Sequence, residues 1–188
     1  MNIGIVGGGF VGKATLLFEC KENNVIIYDR DSSKSYPTFD VTMNDIAHCD
    51  VVFIAVPTPS DRDGNCYTQI VESVIDSLLS LHSNAIIVVR STVPVGFCIR
   101  HKVFFMPEFL TEKNWMQDFK TCENWVFGTD DVSKGAVIQT VLDNAHGGNK
   151  IDHTNLHIVS TREAECIKYF RNVFLAAKIG LFNEYEEF

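Results

Sequence analysis

Short apolar runs punctuate the chain at Ile3 to Val6, Val25 to Tyr28, Asp50 to Val56, Asn84 to Arg90, Val103 to Met106, Trp125 to Phe127 and Leu156 to Val159, with polar or helix-periodic stretches between them. Strands alternating with helices predict an α/β chain: a doubly wound, mainly parallel sheet covered by helices. The runs Val51 to Val56 and Ile86 to Val89 are apolar at every position. That pattern suits strands buried on both faces, so they belong in the middle of the sheet. Tyr67 to Leu81 places Ile70, Val71, Val74, Ile75, Leu78 and Leu79 at helical spacing, as a crossover helix does. Further helices are expected over Lys13 to Cys20, over an abbreviated stretch from Thr42 to His48, and over Ser133 to Leu142, closed by Gly147-Gly148-Asn149. From Arg162 onward, Ile167, Phe170, Phe174, Leu175, Ile179 and Phe182 mark one long helix running to the C-terminus at Phe188. There is no internal repeat, and the polar connection Ser32 to Pro37 is too short to join two domains.

Gly7, Gly9 and Gly12 fill a G-x-G-x-x-G pattern between the first strand and the first helix. In that setting the first glycine permits a sharp turn and the second lets a pyrophosphate approach the backbone. The third lets helix and strand pack closely. Amide groups at the helix start then face the phosphates. The second strand ends at Asp29, at the distance where an acid meets the adenosine ribose hydroxyls, which turns a weak glycine signal into a Rossmann-like NAD site. Arg30 leaves NADP open, since a guanidinium there could meet a 2′-phosphate.

With 188 residues, 46% of them apolar, the chain can bury one substantial core. Its net charge is −8 with acids and bases interspersed, so no basic stripe exists to hold nucleic acid or an anionic membrane. No apolar run approaches the roughly eighteen residues of a membrane span, and the N-terminus enters a strand without a leader pattern. A soluble, cytoplasmic protein is expected. The six cysteines, Cys20, Cys49, Cys66, Cys98, Cys122 and Cys166, form no C-x-x-C pair, and the histidines are scattered, so reduced thiols and no metal are expected.

Three segments stand just past strand ends, where an open parallel sheet exposes its ligand face. They are Val56-Pro57-Thr58-Pro59, Ser91-Thr92-Val93-Pro94-Val95-Gly96 and Pro107-Glu108-Phe109-Leu110-Thr111-Glu112. Prolines fix the first two as turns able to present the Thr58 and Thr92 hydroxyls. If Pro107 starts a helix, Glu108 and Glu112 share one face in its first turn or so. Lys168 and Asn172, four apart on the last helix, can together stabilise a developing oxyanion, with Lys168 partly desolvated. Each segment alone is explained equally well as an ordinary turn or a solvated helix face.

Their order is specific. Glycine loop, acid after the second strand, V-x-T-P, S-T-V-P-V-G, P-E-F-L-x-E, then K-x-x-x-N with Asn183-Glu184 beyond: this resembles the N-terminal half of the UDP-glucose/GDP-mannose dehydrogenase family over nearly the whole chain. The resemblance implies two NAD-dependent oxidations of a nucleotide-sugar C6 alcohol to a carboxylate, with UDP-glucose the preferred substrate and GDP-mannose or UDP-N-acetyl sugars behind it. It implies that Gly7, Gly9, Phe10, Val11 and Gly12 hold the pyrophosphate, Asp29 the ribose, and Lys34 a basic position nearby. Val56, Thr58, Pro59, Thr92 and Glu112 would line the cofactor. Thr92 and Glu108 would place and activate a water, Lys168 would assist proton removal, and Glu108, Phe109, Leu110, Glu112, Lys168 and Asn172 would meet substrate.

By the same resemblance, residues 1–160 form the NAD-binding domain and 161–188 begin a central helix that forms the dimer core in the family. The family's nucleophilic cysteine and its sugar-nucleotide domain lie beyond this stretch, and none of the six cysteines has the glycine-flanked setting. Taken alone, the chain is therefore expected to bind NAD without completing the four-electron oxidation. A homodimer through Arg162 to Phe188 is expected, because the apolar face of that helix needs a cover. The short connection from Asp29 to Asp50, and Glu123-Asn124-Trp125 in place of a more usual proline and arginine, depart from the family pattern and bear on the adenine pocket. Two other readings are a non-catalytic NAD-binding or oligomerising module and a 3-hydroxyacid dehydrogenase relative, the latter disfavoured by P-E-F-L-x-E.

Overall fold

The computed structural model describes residues 1–186. Seven strands form one sheet: β1 (Asn2–Val6), β2 (Asn24–Tyr28), β3 (Val51–Ile54), β4 (Ile86–Val89), β5 (Phe104–Phe105), β6 (Asn124–Gly128) and β7 (Asn155–Val159), in the order β2-β1-β3-β4-β5-β6-β7. All neighbours run parallel except β5 and β6, which meet antiparallel at Phe105 and Gly128. Strand order reverses between β1 and β3, and such a reversal opens a crevice past the carboxyl ends of the two strands. The doubly wound, mainly parallel sheet predicted from the apolar runs is the observed one.

Period-two alternation divides the core between the faces of the sheet. On one face Ile3, Ile5, Phe53, Val88, Trp125 and Phe127 pack under α1 (Phe10–Thr15), the 3₁₀ turn Leu16–Phe18, α5 (Trp115–Lys120) and α6 (Val132–Gly147). Phe119 stands 5.0 Å, ring centre to ring centre, from both Phe18 and Trp125. On the other face Val52, Ile54, Ile87 and Val89 lie under α2 (Met43–Ala47), α3 (Gln69–Ser80), α4 (Phe97–His101) and the first turns of α7 (Thr161–Glu186).

Several boundaries differ from expectation. The helix after the glycine loop starts at Phe10 and tightens into the 3₁₀ turn from Leu16, where Lys13 to Cys20 was expected. α2 matches its abbreviated expectation because Thr42 and Asp45 form a reciprocal capping box. α6 extends past Leu142 to Gly147, capped at its start by the Asp131 carboxylate, which accepts from the Ser133 amide at 2.9 Å. Two short helices, α4 and α5, have no counterpart in the sequence pattern.

Pro107 does not start a helix. The Leu110 amide donates to Glu108 Oε2 at 2.8 Å and the Thr111 amide to Asp118 Oδ2 at 2.8 Å, so side chains take the donors that a helix start would leave free. Glu108 and Glu112 consequently do not share a helix face. α7 leaves the body after Tyr169, and every described residue from Phe170 on is exposed. The expected continuation through Glu187 and Phe188 lies outside the described residues. No helix among the described residues is long and apolar enough to cross a membrane.

Candidate functional site

A cleft of about 1020 Å³ opens past the carboxyl ends of β1 and β3, lined among others by Gly7, Gly9, Phe10, Val11, Asp29, Arg30, Lys34, Val56 and Pro57. The three glycines have different reasons to be there. Gly7 has φ +104°, and a Cβ on it would stand 2.4 Å from the Ala55 carbonyl oxygen. A Cβ on Gly12 would stand 1.8 Å from the Gly7 carbonyl oxygen, so α1 could not approach the loop. A Cβ on Gly9 would meet nothing within 4 Å. The protein itself leaves the space above Gly9 open, as a pyrophosphate-bearing ligand requires.

Asp29 joins the second strand to the loop. Its Oδ2 accepts from the Gly8 amide at 2.6 Å and its Oδ1 from the Asp31 amide at 2.8 Å. A carboxylate offers about four acceptor positions, so two remain for ribose hydroxyls. Past Asp29 the short connection folds back: Ile27 and Tyr36 exchange backbone hydrogen bonds of 2.8 and 3.0 Å along the outer side of β2. This brings the Lys34 carbonyl over Gly8, where a Cβ would come within 2.5 Å of it. Lys34 lines the cleft with its ammonium 3.3 Å from Asp31.

Of the expected cofactor contacts, Gly12, Thr58, Pro59, Thr92 and Glu112 are not among the residues lining this cleft. Thr58 and Thr92 are half-buried, and Pro59 is exposed. Ser91 fixes the turn after β4 by donating to the Val56 carbonyl at 2.7 Å, and Cys66 Sγ reaches the Thr92 carbonyl at 3.3 Å.

A second constellation forms beyond β5. Lys168, 5% exposed on α7, donates from Nζ to the Glu108 carbonyl at 2.6 Å and to Glu108 Oε1 at 2.5 Å. An ammonium carries three donors, so one is left for a ligand oxygen. Phe109 lies beneath Arg171, whose guanidinium carbon is 4.4 Å from the ring centre, and Lys168 Nζ is 5.9 Å from the same ring. Leu110 is half-buried against the core. Glu112 and Asn172 are exposed, and no hydrogen bond or ion pair among the described residues joins either to Lys168 or Glu108.

Sequence reasoning missed two charged side chains. Glu165, fully buried on α7, accepts from the amides of Gly96 at 2.5 Å and Cys98 at 2.8 Å, and so ties α7 to the start of α4. Arg90, buried at the end of β4, lies over the rings of Phe53 and Phe119 at 5.9 and 5.4 Å. The signals were present. Glu165 lies three residues before Lys168 on one helix face, and Arg90 directly continues the apolar run Ile86 to Val89.

Comparison with known proteins agrees with this geometry. Residues 33–146, more than half of the chain, match the NAD binding domain of the UDP-glucose/GDP-mannose dehydrogenase family. The UDP-glucose 6-dehydrogenase of Campylobacter jejuni is 27% identical across 100% of this chain and 56% of the relative. The solved GDP-mannose dehydrogenase of Pseudomonas aeruginosa superposes with a TM-score of 0.84 at 24% identity, over 98% of this chain and 52% of that one. A UDP-glucose dehydrogenase from the archaeon Pyrobaculum islandicum gives 0.84 at 25% identity, over the same 98% and 52%. The chain spans about half the length of the UDP-glucose 6-dehydrogenases it matches. With a glycine loop, an acid at the end of the second strand and a switch-point cleft in place, the chain belongs to the UDP-glucose/GDP-mannose dehydrogenase family and carries its NAD-binding domain.

Proposed function

We propose that this chain supplies the NAD-binding half and part of the active site of an enzyme that oxidises the C6 alcohol of a nucleotide sugar to a carboxylate, with UDP-glucose the first choice of substrate. The observation that carries the reading is the buried Lys168 and Glu108 pair past β5, on the same carboxyl edge of the sheet as the dinucleotide cleft. The similarity to the Campylobacter jejuni UDP-glucose 6-dehydrogenase supports the choice of UDP-glucose.

NAD, when bound, accepts the electrons of both oxidations. The chain's own residues do the rest. Gly9 gives the pyrophosphate access to the backbone, the first amides of α1 face it, and Asp29 holds the ribose with its two remaining acceptor positions. Lys168 directs its third N–H at the substrate oxygen and stabilises negative charge as the alcohol proton leaves. Glu108, with Oε1 on Lys168 and Oε2 on the Leu110 amide, keeps a lone pair on each oxygen. It can therefore take a proton from a water attacking the oxidised carbon, with the Thr92 hydroxyl helping to place that water. Burial excludes bulk solvent from both groups.

A non-catalytic module is the second reading, favoured by the outer turns of α7. Phe170, Phe174, Ile179 and Phe182 there are 76, 58, 63 and 59% exposed. An apolar face of this size marks an interface, and we assign it to a second copy of the chain. Absorbance at 340 nm on mixing the protein with NAD and UDP-glucose tests the first reading. NADH formation that disappears in Lys168→Met supports it. NAD binding and self-association without any NADH formation, for UDP-glucose and GDP-mannose alike, even when the remaining half of the Campylobacter jejuni relative is supplied in trans, supports the module instead.

A further inference from the structure

α7 is buried at one end only. Its first turns bury Thr161, Ala164, Glu165 and Lys168, whereas every described residue from Phe170 on is exposed. The exposed part, residues 170–186, is an arm of about 25 Å at 1.5 Å per residue. A helix passes any tilt or slide of such an arm to its buried end, and Lys168 is the last buried residue before the helix leaves the body. For its ammonium to stay on Glu108 Oε1 at 2.5 Å, the helix has to be pinned close by.

The first turn is held against β6. Thr161 Oγ1 donates to the Gly128 carbonyl at 3.2 Å, and the helix comes so near that a Cβ on Gly128 would stand 2.7 Å from Ala164 Cβ. Glu165 holds the helix on its other side, three positions and about 4.5 Å before Lys168. Its Oε2 accepts from the Gly96 amide at 2.5 Å and its Oε1 from the Cys98 amide at 2.8 Å, so both oxygens are committed to backbone donors. Among the described residues no cation stands within ion-pair distance of it. Burying a carboxylate without a counter-charge is unfavourable, and an apolar side chain would fill the same space at less cost. What a carboxylate adds is direction: two donors on a fixed backbone define where its oxygens lie, and the helix with them. That backbone ends the loop after β4. Gly96, with φ +88°, closes residues 91–96, and Ser91 fixes the other end by donating to the Val56 carbonyl at 2.7 Å. Thr92 lies between them. Glu165 therefore joins the loop that carries Thr92 to the helix that carries Lys168.

We propose that Glu165 is the positioning residue of the site: it sets the height and rotation of α7 over residues 91–96, and so holds Lys168 on Glu108, in register with Thr92, whatever the outer arm does. It acts through Lys168, whose remaining N–H points where its two bonds to Glu108 leave it. A displacement of about 1 Å at such a group is enough to lower a rate steeply. This rests on Lys168 being the group that meets the substrate oxygen, as proposed above. The test uses neither NAD nor substrate, so the clamp and that reading can fail separately.

Amine acetylation followed by mass spectrometry reads the accessibility of Lys168 in the folded chain, where it is 5% exposed. In Glu165→Gln, held at a temperature where circular dichroism shows the native fold, Lys168 should react about tenfold faster or more through local opening, while the other lysines keep their rates. The ¹H–¹⁵N signal of its ammonium, visible in the parent because hydrogen bonding slows exchange with water, should broaden away. Asn23→Ala is the control. Asn23 is buried under the opposite face of the sheet and donates to the Phe18 and Val141 carbonyls at 3.1 and 3.0 Å, so its loss destabilises the fold without touching α7. Lys168 should stay protected there. Glu165→Asp, which keeps the charge but reaches one methylene less far, serves if Glu165→Gln does not fold, and should release Lys168 in the same way. Undiminished protection of Lys168 in the Glu165 variant overturns the proposal. Equal release in Asn23→Ala overturns it too, by making Lys168 a reporter of overall stability, and so does failure of both Glu165 variants to fold, which makes Glu165 a residue of the fold alone.

Discussion

Replacing Glu165 by glutamine should cost far more than the loss of one charge on a helix surface. The carboxylate is fully buried and accepts two backbone hydrogen bonds, at 2.5 Å from Gly96 and 2.8 Å from Cys98. An amide keeps one acceptor and turns its NH₂ toward the other donor, leaving a buried N–H without a partner. Hydrogen bonds to a charged group are worth about 1.5–3 kcal/mol, and an orphaned buried donor costs about 1–3 kcal/mol. Because the two overlap, the expected destabilisation is about 2–4 kcal/mol. For a chain of 188 residues that corresponds to a fall in Tm of about 5–15 °C. Circular dichroism melts measure it, and hydrogen exchange at the Gly96 and Cys98 amides locates it. A Tm within about 1 °C of the parent, with those amides still protected, would refute the reasoning that Glu165 bolts α7 to α4.

Three further outcomes follow from the geometry. Gly12→Ala, whose Cβ would stand 1.8 Å from the Gly7 carbonyl oxygen, should lower Tm and abolish NAD binding together. Gly9→Ala meets nothing within 4 Å, so it should leave Tm unchanged while NAD affinity by calorimetry falls about tenfold or more, a methyl now standing where the pyrophosphate approaches. The Thr111 hydroxyl and then its amide hold the Asp118 carboxyl below its ordinary 3.8. A lowered folded-state value means the contribution is fully present above about pH 4 and fades as pH falls through the folded value. Asp118→Asn should therefore narrow the Tm difference between pH 5 and pH 2, and an unchanged difference would remove Asp118 as the anchor of the segment after Pro107.

The glycine loop, Asp29 and the central strands were legible because they depend on local rules: a turn that only glycine makes, an acid at a strand end, and strands apolar at every position. The long helices were legible for the same reason, with their ends displaced by one to five residues. α4 and α5 span five and six residues, too few for a helical period to declare itself. No helix starts at Pro107 because the amides there are satisfied by Glu108 and by Asp118 from α5, and Asp118 becomes a neighbour only in the fold. Glu165 and Arg90 escaped notice because a charge reads as surface until the fold encloses it. Lys168 and Glu108 sit sixty positions apart, and only the sheet brings them to 2.5 Å.

The account stands most directly on a calorimetric titration of NAD into the chain and into its Asp29→Ala variant. It predicts saturable binding of one NAD per chain, weakened about 10- to 100-fold in Asp29→Ala by the loss of charge-assisted hydrogen bonds to the ribose. Saturable binding that Asp29→Ala leaves untouched, or no saturable binding at millimolar NAD, would contradict it.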